Sequence, residues 1–381
     1  MDDYHKEQPY QGAKKKRLLV FHPALAPYRV DFFNVLADKF DCVILFLQKN
    51  NRNQNFNQQV LLSRSRFRCS YMKIKLVVYN RDINFGYIYY ILKYKPDIVI
   101  SIEYGLPTIL SYLYKKIFRL SYSLYTICDD CVEIAKTCRG IRKRARDFFA
   151  SRLSGIIFTS SNVVKWYKEN VSGKTNGLAF PIIRDERIYW NYLNDLIPVS
   201  SRLRRDFKID NKKVILYVGR ITKVKNLQTL VRAFGKTHLK DTVLVIVGDG
   251  DEKHSIKQII MDLDITDKVI LTGRREGDEL YAWYNLSNLF VLPSVYEPFG
   301  AVTAEALQAG CPVLCSNVAG SSSLINGNNG TLFNPNDEEE LSHLMSEFVS
   351  RCNVLSLSSA RKSILHKSFK DYVDCLASKL K

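Results

Sequence analysis

The sequence predicts an α/β protein with two doubly wound domains, each a parallel β-sheet covered by helices on both faces. Short, continuously apolar runs such as Val214–Val218 and Val243–Val247 are typical of parallel strands buried on both faces. These runs alternate with segments of helical period along the chain, and that alternation characterises doubly wound domains. A length of 381 residues suits about two such domains.

The first half predicts five strands separated by helices. The predicted strands are Arg17–Phe21, Cys42–Leu47, Asp97–Ile102, Ser123–Ile127 and Gly155–Thr159. The predicted helices are Val30–Lys39, Ile83–Tyr94, Leu110–Phe118 and Ile141–Ala150. Residues 49–59 are rich in Asn and Gln and predict a loop.

The second half repeats this alternation, and Val214–Val218 and Val243–Val247 are followed by further predicted strands at Val269–Thr272, Leu289–Leu292 and Val313–Ser316. We predict Rossmann-like domains at residues 1–185 and 213–367, a linker at 186–212, and a separate C-terminal segment at 368–381. Such sheets bind ligands at the carboxyl ends of their strands, so two facing domains would enclose one cleft.

Charge and composition narrow the possible partners. Of the net charge of +18, residues 1–200 carry +15 (32 basic against 17 acidic) and residues 201–381 carry +3 (24 against 21). This asymmetry predicts an anionic partner for the first half: a membrane surface, an anionic substrate or nucleic acid. No nucleic-acid recognition motif is present, so nucleic acid is not expected. No long apolar run or typical signal peptide appears, which predicts a cytoplasmic protein with reduced cysteines.

The segment SVYEPFGAVTAEALQAGCPV, residues 294–313, carries the strongest chemical signal. It predicts a helix from about Gly300 to Ala309, and the free N–H groups of Gly300, Ala301 and Val302 suit a phosphate. Glu305 lies roughly 6–7 Å further along the axis, where a carboxylate could accept hydrogen bonds from a ribose diol. Glu297 precedes the helix, on the side where a sugar attached to the diphosphate would sit. Alternatively, the glutamates only stabilise the start of the helix.

Other strand ends supply further candidate donor-binding residues. Gly219 and Arg220 end the strand Val214–Val218, and Lys225 follows five residues after the arginine. The two cations could neutralise a diphosphate without a metal ion. Gly248 ends the next strand, and Arg274 and Arg275 end the one after that, where loops could sandwich a nucleobase.

Four stretches of the second half together resemble the retaining glycosyltransferases of family four, which have the GT-B fold: VGRITKVKN, VGDGD, LTGRREGDELYAWYNLSNLFVLPSVYEPFGAVTAEALQAGCPVLCSNVAG and NGNNGTLFNP. The resemblance implies that Glu305 holds the ribose, Glu297 lies by the donor sugar, and Arg220 and Lys225 bind the diphosphate. It also implies that Phe299 to Val302 supply phosphate-binding backbone. Glu297, Arg220 and Lys225 are therefore the candidate catalytic residues. By the same resemblance no metal or other cofactor is needed, and residues 368–380 form a helix that crosses back to the first domain.

Two signals for a metal compete with this interpretation. Asp249-Gly-Asp251 and Asp262-Leu-Asp264 fit the DxD motif, which binds a metal and diphosphate in the other glycosyltransferase fold. Such pairs also recur by chance in charged chains. Cys128-Asp-Asp-Cys131 has the CxxC spacing but lacks a second pair, so a zinc site is not expected.

The first half offers weaker candidates for the acceptor side. The stretch HPALAPYRVDFFNVLADKF resembles the first strand, loop and helix of bacterial family members, which makes Arg29 a candidate. SLYTICDD resembles the segment where many relatives have His-Asp, which places Asp129 at the Asp position and Cys128 at the His position. Glu103 ends the strand DIVISI and is the third candidate.

A basic and aromatic stretch suggests contact with a membrane. Between Tyr112 and Phe149 there are nine basic and four acidic residues. Arg142, Lys143, Arg144 and Arg146 crowd one predicted helix and are the candidate membrane-facing residues. A simply solvated helix face is the alternative.

Together these observations predict a cytoplasmic, peripheral membrane glycosyltransferase. It would transfer a hexose with retention from a UDP- or GDP-sugar to a lipid-linked or glycan acceptor in the synthesis of bacterial surface polysaccharide or lipopolysaccharide. Two alternatives remain: a sugar-nucleotide epimerase or hydrolase of the same fold, and an inactive protein that binds anionic lipid or nucleic acid.

Overall fold

The computed structural model describes residues 15–50, 56–73, 76–78, 81–83 and 86–380, so residues 51–55 of the predicted loop lie outside the described residues. The chain forms two compact units. The first contains the described residues up to Asp130, then Ile134–Ile182 and the chain from Lys370. The second contains Cys131–Glu133 and Ile183–Phe369.

The first unit is built on a seven-stranded parallel sheet with the order β3-β2-β1-β6-β7-β8-β9, and a separate antiparallel pair, β4-β5. The strands are β1 (Arg17–His22), β2 (Asp41–Phe46), β3 (Arg68–Tyr71), β4 (Leu76–Val78), β5 (Arg81–Ile83), β6 (Ile98–Ile102), β7 (Ser123–Cys128), β8 (Gly155–Phe158) and β9 (Gly177–Ala179). The helices are α1 (Val30–Lys39), α2 (Gln58–Ser63), α3 (Tyr87–Tyr94), α4 (Leu106–Ile117), α5 (Val132–Thr137), α6 (Gly140–Phe149) and α7 (Ser161–Asn170).

The second unit is built on a six-stranded parallel sheet with the order β12-β11-β10-β13-β14-β15. Its strands are β10 (Lys213–Val218), β11 (Thr242–Val247), β12 (Val269–Gly273), β13 (Leu289–Leu292), β14 (Val313–Ser316) and β15 (Gly330–Phe333). Its helices are α8 (Glu186–Asp195), α9 (Ile197–Asp206), α10 (Leu227–Lys236), α11 (Lys253–Asp262), α12 (Gly277–Leu286), α13 (Ala301–Gln308) and α14 (Glu338–Ser350).

Apolar side chains on both faces of these sheets form the cores. In the second unit, Ile215, Leu244, Val291 and Leu314 come from four neighbouring strands and are fully buried in one cluster. The apolar runs are therefore strands covered on both sides, which confirms the predicted α/β class with two Rossmann-like domains.

The strand order places a topological switch point in each unit. In the first unit β1 lies between β2 and β6, and in the second β10 lies between β11 and β13. In the first unit the chain crosses from β1 to β2 on one side and later returns to β6 on the other side, so the loops after β1 and β6 flank a crevice at the carboxyl edge. In the second unit the loops after β10 and β13 flank a crevice in the same way.

The segment predicted as a linker, residues 186–212, is mostly helical and belongs to the second unit. Asp185 caps α8 by accepting hydrogen bonds from two backbone N–H groups, and Pro198 occupies the first turn of α9, where proline is tolerated. The Ser200 hydroxyl is buried and donates to the carbonyl of Ala282 on α12 at 3.0 Å. Pro198 and Ser200 thus serve a helix start and helix packing, and residues 186–212 are not an extended linker.

The C-terminal helix α15 (Phe369–Lys379) packs on the first unit. The ring of Tyr372 lies 6.2 Å from that of Phe180, and the Tyr125 hydroxyl donates to the carbonyl of Lys379 at 3.0 Å. The end of the chain therefore joins the unit that contains its beginning. No helix in the described part of the chain is long and apolar enough to cross a membrane.

Candidate functional site

In the second unit, the loop after β13 presents the start of α13 at the switch point. Gly300 caps this helix with φ +91°, a left-handed conformation that favours glycine. A Cβ there would lie 2.9 Å from Leu292 Cδ2 and 3.0 Å from Ser321 Oγ, so a larger residue would crowd these side chains in addition to straining the backbone. Within the described residues no side chain caps this helix start, and Ala301 and Val302 are partly exposed. Uncapped N–H groups at a helix start form an anion-binding surface.

The loop that leads to α13 is held by a neighbouring 3-10 turn. The N–H of Gly320 donates to the carbonyl of Glu297 at 3.0 Å, and the N–H of Ser321 donates to that of Phe299 at 2.7 Å. A Cβ on Gly320 would overlap the carbonyl oxygen of Pro298. This close backbone packing fixes the direction of the helix start.

The loop after β10 brings Lys225 to the same place. Its ammonium group is paired with the carboxylate of Glu297, and the two side chains are 14% and 11% exposed. The N–H of Val295 donates to the carbonyl of Val224 at 3.0 Å, which ties the loops after β10 and β13 together. The predicted cation and the first glutamate therefore lie side by side as an ion pair.

Gly219 and Gly248 allow the loops after β10 and β11 to touch. A Cβ on Gly248 would overlap the carbonyl oxygen of Gly219, so this approach requires glycine. Arg220 is exposed, and its carbonyl accepts a hydrogen bond of 2.9 Å from the buried Tyr217 hydroxyl. The backbone at Arg220 is thus fixed while its guanidinium is accessible to a ligand.

Glu305 lies on α13 and contacts two tyrosines of α12. Its carboxylate accepts hydrogen bonds from the Tyr284 hydroxyl at 2.9 Å and the Tyr281 hydroxyl at 3.4 Å. Burial raises the pKa of Glu305, while the charge of Arg184 and the two hydroxyl groups act to lower it. Sequence reasoning missed these tyrosines, although their spacing of three residues places them on one face of α12.

Arg274 and Arg275 follow β12 but contact residues of their own segment. Arg274 is exposed and paired with Glu276, and Arg275 pairs with Glu279 at 3.0 Å. The structure therefore does not bring these two arginines to Glu297 or Glu305, and their proposed contact with a nucleobase stays a prediction.

In the first unit, the three candidate acceptor residues come together at the carboxyl edge. Arg29 is buried and paired with the carboxylate of Asp129, whose N–H donates to Glu103 Oε1 at 3.3 Å. Glu103 has φ +53°, a conformation that is costly for a residue with a side chain. Its carbonyl accepts hydrogen bonds of 2.7 Å from the hydroxyl groups of Thr108 and Thr126.

Asp130 and Arg142 complete this group, and sequence reasoning missed their part in it. We call the five residues Arg29, Glu103, Asp129, Asp130 and Arg142 the acidic cluster. Asp130 is buried and accepts a hydrogen bond of 3.2 Å from the Tyr167 hydroxyl. Arg142 bridges Asp130 at 2.6 Å and Glu103 at 2.9 Å. Arg142 was predicted to face a membrane, but its guanidinium is occupied by two carboxylates.

The other members of the predicted membrane-facing set also differ from one another. Arg146 is buried: it donates to the carbonyl of Ala135 at 2.7 Å and its guanidinium lies 5.5 Å from the Trp166 ring. Lys143 pairs with Asp147 at 2.6 Å, and Arg144 is exposed. The prediction was therefore wrong for Arg146, because a 10-residue helix on a sheet must turn one face inward.

An exposed apolar patch adjoins exposed basic residues on the first unit. Helices α3 and α4 pack together, and Tyr112 of α4 lies 5.7 Å from Phe148 of α6. Exposed apolar side chains on or next to these helices are Tyr89, Leu92, Leu113, Ile117, Phe118, Ile141 and Phe148, and exposed basic ones include Lys116, Arg119 and Arg144. We call this set the apolar-basic patch.

Potential metal ligands converge in the first unit, not at the predicted DxD motifs. In the described part of the chain, the ligand atoms of Glu103, Cys128 and Asp130 lie within 4.8 Å of one another. Arg142 contacts both carboxylates and so supplies positive charge at that point. Asp249, of the first DxD motif, pairs with Lys253 at 2.9 Å.

The acidic cluster predicts a measurable pH dependence of stability. Burial and the charges of Asp130 and Asp129 raise the pKa of Glu103 to about 7, against the lowering effect of Arg142. The protonated Glu103 carboxyl therefore stabilises the folded protein fully at pH values below the ordinary pKa of a glutamate, and this stabilisation is lost as pH rises through about 7. Between about pH 5 and pH 8, the free energy of unfolding of wild type should fall by about 1–3 kcal/mol relative to that of Glu103→Gln. Urea denaturation at each pH measures this difference.

The control is Glu169→Gln, which removes an exposed carboxylate from α7 of the same unit. Its stability should follow that of wild type across this range. A constant difference between Glu103→Gln and wild type at all pH values would contradict the shifted titration of Glu103.

The chain is similar to known proteins both in sequence and in fold. The family model "Glycosyl transferases group 1" matches residues 200–355. The uncharacterized glycosyltransferase MJ1607 of Methanocaldococcus jannaschii is 40% identical over 117 residues, which are 30% of this chain and 30% of that protein. The segments that match three curated relatives, MJ1607 among them, cover only 30%, 46% and 27% of the relatives' own lengths.

Solved structures are similar over nearly the whole chain. The structure of Anabaena Alr3699/HepE in complex with UDP has a TM-score of 0.69 and 15% identity, covering 96% of this chain and 95% of that one. The apo form of the lipopolysaccharide outer core galactosyltransferase WaaB has a TM-score of 0.68 and 17% identity, covering 96% and 100%. Residues 200–355 therefore match the family model of the glycosyl transferases group 1, and the two units have the fold of GT-B glycosyltransferases.

Proposed function

We propose that this protein is a retaining glycosyltransferase of family four that uses a nucleotide-sugar donor, UDP- or GDP-linked. The observation that carries the proposal is the Lys225–Glu297 pair beside the uncapped, glycine-initiated start of α13. A cation, a helix start and a carboxylate at one strand edge are suited to a diphosphate that bears a sugar.

In this proposal each element of the second unit takes one part of the donor. The N–H groups at the start of α13, with Lys225 and Arg220, bind the diphosphate. Glu305 accepts hydrogen bonds from the ribose diol, and Glu297 lies toward the transferred sugar. The UDP complex of Alr3699/HepE, a protein of the same fold, supports a nucleotide ligand.

The reaction breaks the bond between the anomeric carbon and a diphosphate oxygen, and forms a bond from that carbon to an acceptor hydroxyl oxygen. The hydroxyl proton passes to the leaving diphosphate on the same face of the sugar, which retains the anomeric configuration. Lys225 and Arg220 stabilise the negative charge that develops on the diphosphate. These two cations supply positive charge where other enzymes use a metal ion.

For the acceptor, we infer a lipid-linked glycan at the cytoplasmic face of the cell membrane. Apolar and basic side chains together suit an anionic lipid surface, and the apolar-basic patch provides both. The similarity of fold to a lipopolysaccharide galactosyltransferase supports a role in the synthesis of surface polysaccharide or lipopolysaccharide.

Substitutions of the two glutamates should affect nucleotide binding differently. Glu305→Gln removes a charged acceptor of hydrogen bonds and should weaken binding of UDP, or of GDP if GDP is the ligand, about 10-fold or more. Glu297→Gln releases Lys225 to the diphosphate, so it should bind the nucleotide as tightly as wild type or more tightly, yet turn over slowly. Calorimetry with the bare nucleotide and steady-state kinetics measure both effects.

A product that contains the transferred sugar joined to an acceptor distinguishes a transferase from an epimerase or hydrolase. Unchanged nucleotide affinity in Glu305→Gln together with a lower melting temperature would instead indicate that the carboxylate only stabilises its helix.

Turnover should not require a divalent metal ion, because Arg220, Lys225 and the start of α13 neutralise the diphosphate. Activity measured after treatment with EDTA should equal that of the untreated enzyme. Loss of activity with EDTA and its recovery with Mg²⁺ or Mn²⁺ would favour the DxD motif at Asp249 instead.

The apolar-basic patch should bind anionic vesicles through its exposed cations. Each lysine or arginine near an anionic surface contributes about 1 kcal/mol. The triple change of Lys116, Arg119 and Arg144 to Gln should weaken binding to phosphatidylglycerol vesicles by about 1–3 kcal/mol, measured by co-sedimentation. Added salt should reduce the difference in binding between the variant and wild type.

The control changes Lys165, Lys168 and Lys174 to Gln, which removes the same charge from an exposed face of the first unit near α7. This variant should bind vesicles nearly as well as wild type. Equal losses in the two triple variants would show that only net charge, and not the patch, drives the association.

A further inference from the structure

The carboxylate of Glu305 is held from one side by α12. Tyr284 is fully buried, and its hydroxyl donates to Oε2 at 2.9 Å; the Tyr281 hydroxyl is 3.4 Å from Oε1. Each oxygen of a carboxylate can accept about two hydrogen bonds, so each retains capacity for one more. Glu305 is partly exposed. The orientation of the carboxylate is thus set by protein donors, while one acceptor site on each oxygen remains for a ligand.

A second layer of side chains packs against Tyr281. The guanidinium of Arg184 lies 5.0 Å from the ring of Tyr281 and 4.8 Å from that of Tyr189 on α8. The rings of Tyr189 and Tyr281 are 5.9 Å apart and nearly perpendicular. The Tyr189 hydroxyl is buried and has no hydrogen-bond partner among the described residues. Tyr189 therefore belongs to the same aromatic cluster without donating to the carboxylate.

We propose that Tyr284, assisted by Tyr281, is a positioning residue that aims the two oxygens of Glu305 at a vicinal diol, the 2′,3′-diol of the donor ribose. The inference rests on the proposed function, since the diol belongs to the nucleotide. It extends that function by assigning discrimination between ribose and deoxyribose to a pair of tyrosines that do not touch the ligand themselves.

The charges around Glu305 give this arrangement a second consequence. The groups that face the carboxylate are Arg184, Tyr189 on α8, and Tyr281 and Tyr284 on α12. Burial raises the pKa of Glu305, and the Tyr284 hydroxyl opposes that rise by donating to the ionised form. Removing this hydroxyl should raise the pKa of Glu305 further. The ionised carboxylate is the better acceptor for a diol. As pH falls, nucleotide affinity would therefore be lost at a higher pH in the variant than in wild type.

The test compares Tyr284→Phe with Tyr189→Phe. Both changes remove one buried phenol oxygen from the same cluster, but only the first removes a donor to Glu305. Calorimetry would use UDP, or GDP if GDP stabilises wild type more in a thermal-shift assay, and the 2′-deoxy form of the same nucleotide.

For Tyr284→Phe we expect affinity for the ribonucleotide to fall about 3-fold to 10-fold, and affinity for the deoxynucleotide to fall less. The preference for ribose should therefore shrink. The pH at which affinity is lost should rise relative to wild type; titration of the ligand's own phosphate cancels in that comparison. Tyr189→Phe should match wild type in all three readouts. If Tyr284→Phe does not fold, Tyr281→Phe should show the same pattern with smaller changes.

If Tyr284→Phe lost affinity equally for the ribonucleotide and the deoxynucleotide, and the pH dependence of affinity did not change, the positioning role would be overturned and a merely structural role would remain. Unchanged affinity in Tyr284→Phe would overturn it as well. If wild type binds no nucleoside diphosphate, the proposed function itself fails, and that result is distinguishable because it does not depend on any variant.

Discussion

Close contact of backbone with backbone at the carboxyl edge of the second sheet is the constraint on which the candidate donor site depends. A side chain on Gly248 would overlap the carbonyl of Gly219, and one on Gly320 would overlap the carbonyl of Pro298. The first contact joins the loops after β10 and β11, and the second joins the loops after β13 and β14. The N–H of Val295 donates to the carbonyl of Val224 and ties the loop after β13 to the loop after β10, which places Lys225 beside the start of α13.

Charge is arranged differently at the carboxyl edges of the two units. In the second unit, Lys225 and Glu297 form a largely buried ion pair, and Arg220 nearby is exposed. In the first unit, two arginines and three carboxylates form a connected cluster around the strained backbone of Glu103. Buried charges of this kind stay in place only when each is paired, because an unpaired buried charge is costly. At both edges the buried charged groups are therefore held in ion pairs.

Much of the fold could be predicted from the sequence. The strands Leu289–Leu292 and Val313–Ser316 and the helix Val30–Lys39 have the predicted bounds, because continuous apolar runs and helical periodicity are local signals. The segment predicted as a linker, residues 186–212, is mostly helical instead: Ser200 and Pro198 are residue types common in loops, but here they serve packing and a helix start. Local composition does not distinguish these roles, since a partner such as Ala282 lies far along the chain.

For the candidate site, the sequence by itself determined that Lys225 and Glu297 follow the two strands that flank the switch point of the second unit. Glycine, lysine and glutamate at fixed offsets from apolar strands can only emerge at the carboxyl edge, and Lys225 does lie against Glu297. Only the tertiary structure decided what surrounds the other candidates: the tyrosines that hold Glu305, and the burial of Arg146. It also decided that Arg142 pairs with Asp130 and Glu103. The physical reason is that hydrogen bonds and ion pairs depend on which helix faces are packed together, and that packing joins residues distant in sequence.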